Sequence, residues 1–158
     1  MNKSKKIKKP THSQMIGVVD DIFNTLIKYR DNWKCVQCGT TENITAGHVI
    51  PKSSGQKIRY DTDNVFAQCQ TCNSNHRYKP QYYFQWYINK YGIDEYNELV
   101  NASKIVFKYS TNDLIRLFNE VLGNLKGLNV DYREYARSKP YIRAKLNKVF
   151  PEFLKQMK

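Results

Sequence analysis

Apolar residues recur at helical spacing over most of the chain, and that rhythm breaks in one stretch near the middle. Met15, Val19, Ile22, Phe23, Leu26 and Ile27 stand three or four apart, which predicts an amphipathic helix ending near Arg30. Thr11 and Gln14 have the spacing of a capping box at its start. From Ile44 to Ile50 the chain is instead rich in β-branched residues, which predicts a strand. Ser53, Ser54 and Gly55 favour a turn after Pro51. Asn64 to Ala67 reads as a second short strand, and Cys72 to Tyr78 as the beginning of a helix.

Helical periodicity then returns. Pro80 suits a first helical turn, Tyr83, Trp86, Tyr87 and Lys90 share a face, and Gly92 can end the helix. Asp94 is placed to cap a helix bearing Tyr96, Leu99, Val100 and Phe107. Ser110 and Asp113 form another capping-box pair ahead of Leu114, Leu117, Phe118, Val121 and Leu125, a stripe that Gly127 closes. Tyr132 to Ser138 and Pro140 to Val149 predict one or two further basic helices. The fold class is α+β, a small strand-containing core with an N-terminal helix and a helical C-terminal half. No internal repeat is visible. Three regions are expected: a basic tail over 1–12, a core over 13–92, and a basic helical region over 93–158.

The break in the helical rhythm coincides with all four cysteines, in "CVQCG" (Cys35, Cys38) and "CQTCN" (Cys69, Cys72). Two Cys-x2-Cys pairs supply the four thiolates of one tetrahedral zinc. A site filled by four protein ligands is closed, so this zinc would be structural. Thirty residues separate Cys38 from Cys69, enough to hold a hairpin, and His48 lies inside it. The arrangement predicts a zinc-clamped scaffold that presents a histidine.

Charge narrows the partner. Lysines and arginines outnumber acidic residues 26 to 14, for a formal net charge of +12 and a pI near 9.5. Such a chain favours polyanions, chiefly nucleic acid. Lys5, Lys6, Lys8 and Lys9 in the tail and Lys52, Lys57, Arg59, Arg77 and Lys79 around the core are the candidate phosphate contacts. No apolar run reaches the length of a membrane span, and no apolar segment of a secretory signal follows the basic start. Paired cysteines in a reducing cytoplasm suit a metal better than disulfides.

The segments "CVQCG", "AGHVIPKSSGQKIRYDTDNVFAQCQTCN" and "YYFQWYINKYGIDEYNELV" together resemble the HNH (His-Me finger, ββα-metal) endonucleases. Within that group they are most similar to the phage lambda NinG/Rap recombination nuclease family. The resemblance covers roughly residues 33 to 100. It implies a metal-dependent DNA endonuclease that hydrolyses phosphodiester bonds in branched recombination intermediates. The cofactors would be a structural zinc and a catalytic magnesium or manganese, and the setting the host cytoplasm.

By that resemblance His48 is the general base, Asn64 braces the loop that holds it, Asn73 ligates the catalytic ion, and His76 is a metal ligand or phosphate contact. Many HNH nucleases carry Asp or His immediately before the base. Here that position is Gly47, which leaves the second protein ligand open, with Asp61 and Asp63 as candidates by proximity in sequence. The chemistry stands without the family, since phosphodiester hydrolysis needs a base for water and a cation at the developing charge. Blander readings remain beside it. Asn64 could be only a turn residue, Asn73 could bond the knuckle backbone, His76 could replace a cysteine on zinc or face solvent, and most tyrosines, Tyr82, Tyr83 and Trp86 among them, could simply pack helices. The competing functions are a non-catalytic zinc-dependent nucleic-acid-binding module, an RNA-directed nuclease, and a nicking enzyme of genome packaging. A homodimer is compatible with any of them.

Overall fold

The computed structural model describes residues 9–155; the expected contacts Lys5, Lys6 and Lys8 lie outside them. Among the described residues there are seven α-helices and one two-stranded antiparallel sheet. The order is α1 (His12–Arg30), β1 (Ile44–His48), a short 3-10 turn (Lys52–Ser54), β2 (Val65–Cys69), α2 (Gln70–His76), α3 (Pro80–Tyr91), α4 (Ile93–Ser103), α5 (Thr111–Gly127), α6 (Tyr132–Arg137) and α7 (Pro140–Val149).

The chain forms two compact units, one made of residues up to Ile22 together with Ser110 onward, the other of Phe23–Tyr109. In the first unit, α1 begins with the expected capping box: Gln14 N donates to Thr11 Oγ1 at 3.2 Å, and Thr11 N to Gln14 Oε1 at 2.9 Å. Met15, Val18, Val19 and Ile22 are buried. The second expected capping box is also present, Ser110 accepting from Asp113 N at 3.1 Å while Asp113 accepts from Ser110 N at 2.9 Å. The α5 stripe is buried through Leu114, Phe118, Val121 and Leu125. Phe118 packs against Phe150 and Phe153, with ring centroids 4.9 and 5.5 Å apart, and Lys145 pairs with Asp21 at 2.8 Å.

The second unit carries the cysteines. β1 and β2 pair antiparallel with Ile44 opposite Cys69, Ala46 opposite Ala67 and His48 opposite Val65. The ladder ends two residues earlier than the predicted Ile50. Ile50 N donates to the side chain of Asn64 instead of to a strand, at 2.8 Å. The following helix begins at Gln70 rather than Cys72, because Cys69 serves as its N-cap and its Sγ accepts from Cys72 N at 3.4 Å.

α3 ends at Tyr91 with Gly92 at φ +100°, as Gly92 suggests. Asp94 does not cap α4; Gly92 holds the N-cap position, and Asp94 and Glu95 occupy the first turn. α4 stops at Ser103, so Phe107 is not helical. It packs instead in the stretch before α5, edge-on to Tyr109 at 4.6 Å and beneath Lys57 Nζ at 5.3 Å. Val49, Ile50, Ile58, Phe66, Tyr83, Tyr87 and Leu99 form one buried apolar cluster. Tyr83 and Trp86 pack as the bland reading has it, stacked at 5.4 Å; Tyr82 does not, being 61% exposed.

One clamp closes this unit. Arg30, the last residue of α1, pairs with Asp31 through Nε at 2.7 Å and Nη2 at 2.9 Å. It also donates to the carbonyls of Thr62 and Val65 at 2.7 and 2.8 Å. Asp31 in turn accepts from Ala67 N at 2.7 Å. The end of the helix is thereby fixed to β2 by charge-assisted bonds.

Candidate functional site

The first knuckle turns where Gly39 N donates to the carbonyl of Cys35 at 2.9 Å. Gly39 has φ +78°, a left-handed conformation that favours glycine. The second knuckle spans the junction of β2 and α2. Together they bring the Sγ atoms of Cys35, Cys38, Cys69 and Cys72 within 4.8 Å of one another. Cys38 Sγ and Cys69 Sγ stand 3.7 Å apart. A disulfide needs about 2.05 Å. A tetrahedron with Zn–S bonds of about 2.3 Å has sulfurs about 3.8 Å apart, so the donor set fits zinc.

The thiols would ionise together only with a cation among them. Burial pushes Cys35 up, but backbone hydrogen bonds from Cys38, Cys69 and Gln37 outweigh it and bring it to about 7 from an ordinary 9.0. Burial, then the neighbouring sulfurs of Cys69, Cys38 and Cys35, push Cys72 far above its ordinary value. At Cys38 the Thr40 backbone pulls the thiol down, and contact with Cys35, burial and Cys69 carry it above the ordinary value. Four converging thiols cannot all ionise against one another, and a dication removes that obstacle. These four residues could hold a structural zinc ion.

Inside the loop between the knuckles, His48 ends β1. Its Nε2 donates to the carbonyl of Arg59 at 2.9 Å. A carbonyl only accepts, so a neutral ring held this way carries its proton on Nε2 and its lone pair on Nδ1.

The chain just before Arg59 is tied by a buried asparagine. Asn64 is fully buried, and its Nδ2 donates to the carbonyls of Ile50 and Ile58 at 2.9 and 3.1 Å while Oδ1 accepts from Ile50 N. One side chain therefore ties together both ends of the 50–58 loop that follows His48. The positive residues of that loop differ. Lys52 is exposed, whereas Arg59 bonds the hydroxyl of Tyr60 at 3.1 Å.

Asn73 lies on α2 and reaches β1. A Cβ built on Gly47 would stand 3.0 Å from Asn73 Oδ1 and 1.6 Å from Gln68 Oε1. The Gln68 oxygen occupies the place of the missing side chain, so a larger residue at position 47 would have to displace it. Asn73 is thus brought against the residue next to His48. Gln68, in β2, is fully buried, and its Oε1 has no hydrogen-bond partner.

Other candidates lie elsewhere. His76 ends α2, edge-on to Tyr83 at 5.0 Å, and burial lowers its pKa. It lines a cleft of about 230 Å³ with Gln37, Cys38, Cys72, Lys79 and Tyr82. Asp61 and Asp63 face another cleft, with Tyr87, Tyr91, Glu95 and Glu98, and neither His48 nor Asn73 lines it. Burial raises the Asp61 pKa. Arg77, Lys79 and Lys9 are exposed, and beside the first two Tyr78 is 78% exposed. Sequence reading missed Arg30, Asp31 and Gln68.

The fold and site define a small mixed α/β protein whose two strands and short helix are joined by a four-cysteine cluster suited to zinc. The model of the family described as Bacteriophage Lambda NinG protein matches residues 1–131, and the chain belongs to that NinG family. It is 26% identical over 137 residues to Protein ninG of Salmonella phage P22, covering 85% of this chain and 67% of that protein. It is 27% identical over 100 residues to Protein ninG of Escherichia phage 933W, covering 61% of this chain and 50% of that one. No solved structure matches. Among the described residues no helix is long and apolar enough to cross a membrane.

Proposed function

We propose that this protein is a metal-dependent DNA endonuclease of the HNH type, acting in the host cytoplasm on branched recombination intermediates. The observation that carries the reading is the local convergence around β1. His48 is fixed by the Arg59 carbonyl, Asn64 holds the loop, and Asn73 on α2 reaches the residue beside the histidine. A four-sulfur cluster pins the strand–strand–helix unit at both ends.

In this reading the Nδ1 of His48 takes a proton from a water molecule. The water oxygen bonds to phosphorus, the scissile P–O bond breaks, and solvent protonates the leaving oxygen. Bonding of Nε2 to a carbonyl keeps the ring in the tautomer that can act as a base, and stabilises the imidazolium once formed. Asn73 would help hold a magnesium or manganese ion, which when bound supplies positive charge at the phosphate. Such ions take oxygen ligands and keep several waters, so few protein ligands suffice.

Exposed Lys52, and exposed Arg77 and Lys79 with Tyr78 and Tyr82 beside them, support contact with phosphates and unstacked bases. The test is to incubate zinc-loaded protein with linear, flapped and four-way DNA in magnesium or manganese. Metal-dependent cleavage that favours the branched substrates is expected. Tight, salt-sensitive binding without cleavage of any of them would replace this reading with a non-catalytic zinc-dependent binding module.

A further inference from the structure

Gln68 has a polar atom in the wrong company for a strand residue. Its side chain is completely buried, its Nε2 is used on Gln37 Oε1, and its Oε1 is without a hydrogen-bond partner. A buried acceptor left unmatched is costly, so the position calls for something electropositive. The pairing register explains where the oxygen goes. Gln68 stands opposite Thr45, and Gly47 opposite Phe66. Thr45, Gly47, Phe66 and Gln68 therefore share one face of the two-stranded sheet. Since Gly47 has no side chain, Gln68 leans diagonally into that place, with its oxygen 1.6 Å from where a Cβ would be. Asn73 Oδ1 approaches the same point from α2, at 3.0 Å. Two amide oxygens thus converge on the place of the missing Gly47 side chain. Acceptor oxygens brought to one place favour a donor or a cation there.

We infer that Gln68 Oε1 is a ligand of a hard divalent cation, shared with Asn73 Oδ1, at the position left open by Gly47. The inference deepens the nuclease reading and rests on it for the cation's role. The chemistry suits the ion, since magnesium and manganese prefer oxygen donors. It also accounts for the glycine: with Gln68 reaching across from β2, a side chain at position 47 is displaced rather than needed. Both oxygens belong to neutral amides, so the cation is held weakly in the free protein and more firmly when a phosphate completes its shell.

The experiment is a manganese titration of zinc-loaded protein, followed by the electron paramagnetic resonance signal of free Mn(II), with zinc content and melting checked for each variant. Gln68→Leu and Gly47→Ala should each lower manganese affinity by about tenfold or more, the lower end of what loss of one supporting group at a metal site costs. Gln68→Glu should tighten binding, because a carboxylate replaces the amide oxygen, and it carries the test if Gln68→Leu does not fold. Gly47→Asp combined with Gln68→Ala should recover affinity by returning a carboxylate to the vacated place. If Gln68→Leu and Gln68→Glu both bind manganese as the parent does, or the parent binds none, Gln68 serves only to bond Gln37 and the inference fails. Loss of manganese in the Gln68 variants of a protein that never cuts DNA would keep the site and remove the nuclease reading. Unchanged manganese affinity in a Gln68→Leu variant that still cuts would do the reverse.

Discussion

Asn64 and Ile50 are joined by a reciprocal pair of hydrogen bonds, Ile50 N to Asn64 Oδ1 at 2.8 Å and Asn64 Nδ2 to the Ile50 carbonyl at 2.9 Å. A third bond ties Asn64 Nδ2 to Ile58. The buried side chain stands in for a strand partner where β1 ends, and so decides how the chain leaves His48. Asn64→Ala strips partners from three backbone groups, each costing about 1–3 kcal/mol when left buried and unmatched. A loss of roughly 3 kcal/mol or more in chemical denaturation is expected, with faster amide exchange at Ile50. A stability change under 1 kcal/mol would mean that water takes over the role.

The four-sulfur cluster predicts one zinc per chain. Judged from zinc-finger peptides, such a site contributes on the order of 10–16 kcal/mol to folding, comparable to the whole stability of a typical domain, about 5–15 kcal/mol. Cys35→Ala or Cys72→Ala should yield misfolded or insoluble protein, and a strong chelator should melt the Phe23–Tyr109 unit. Metal-free protein with unaltered circular dichroism and melting would remove zinc from the account.

Burial raises the pKa of Asp61 above its ordinary 3.8, so the fold favours its protonated form. The sign follows from linkage: stability from this group is fully present below the ordinary value and is lost as pH rises through the higher folded one. Asp61→Asn keeps an oxygen for the bond from Asp63 N, which Asp61 accepts at 2.9 Å, and removes the charge. It should melt above the parent at pH 7, with the advantage gone near pH 3. An equal melting difference at both pH values would show that charge is not the cause.

Phosphate contact predicts a steep salt dependence of DNA affinity, with a slope near 0.9 per contacted phosphate. Removal of exposed Lys52, Arg77 or Lys79 should each reduce the slope by about one and weaken binding equally across sequences. Deleting residues 1–9, which carry five lysines, should flatten it further while leaving cleavage chemistry intact. An unchanged slope in the deletion would mean that the tail is not a binding arm.

Local signals were legible in the sequence and distant ones were not. Both capping boxes, at Thr11 and Ser110, follow from residues three apart and are found where expected. The cysteine spacing likewise announced the cluster. Element ends were missed where a side chain from far away took over a backbone group, as Asn64 does at Ile50. The helix expected to carry Phe107 stops at Ser103, and the β-branched run Ile105–Val106 follows, a poor helix former. The clamp of Arg30 on Thr62 and Val65 spans more than thirty residues, and no periodicity encodes it. Gln68 looked like an ordinary polar residue in a strand. Its signal was the glycine at position 47, readable only once the register puts both on one face.

The central claim is that His48 is the base of a nuclease, and the most direct measurement compares cleavage of a four-way DNA junction by the parent protein and by His48→Ala. Both are to be zinc-loaded, matched in melting and in DNA affinity, and supplied with magnesium or manganese. His48 bonds the loop carbonyl of Arg59 through Nε2, while the loop itself is tied down by Asn64, so removal of the imidazole should leave fold, zinc and binding in place. The cleavage rate should fall by roughly 10²–10⁴, the usual worth of a general base. A folded His48→Ala protein that cuts at the parent rate would contradict the account.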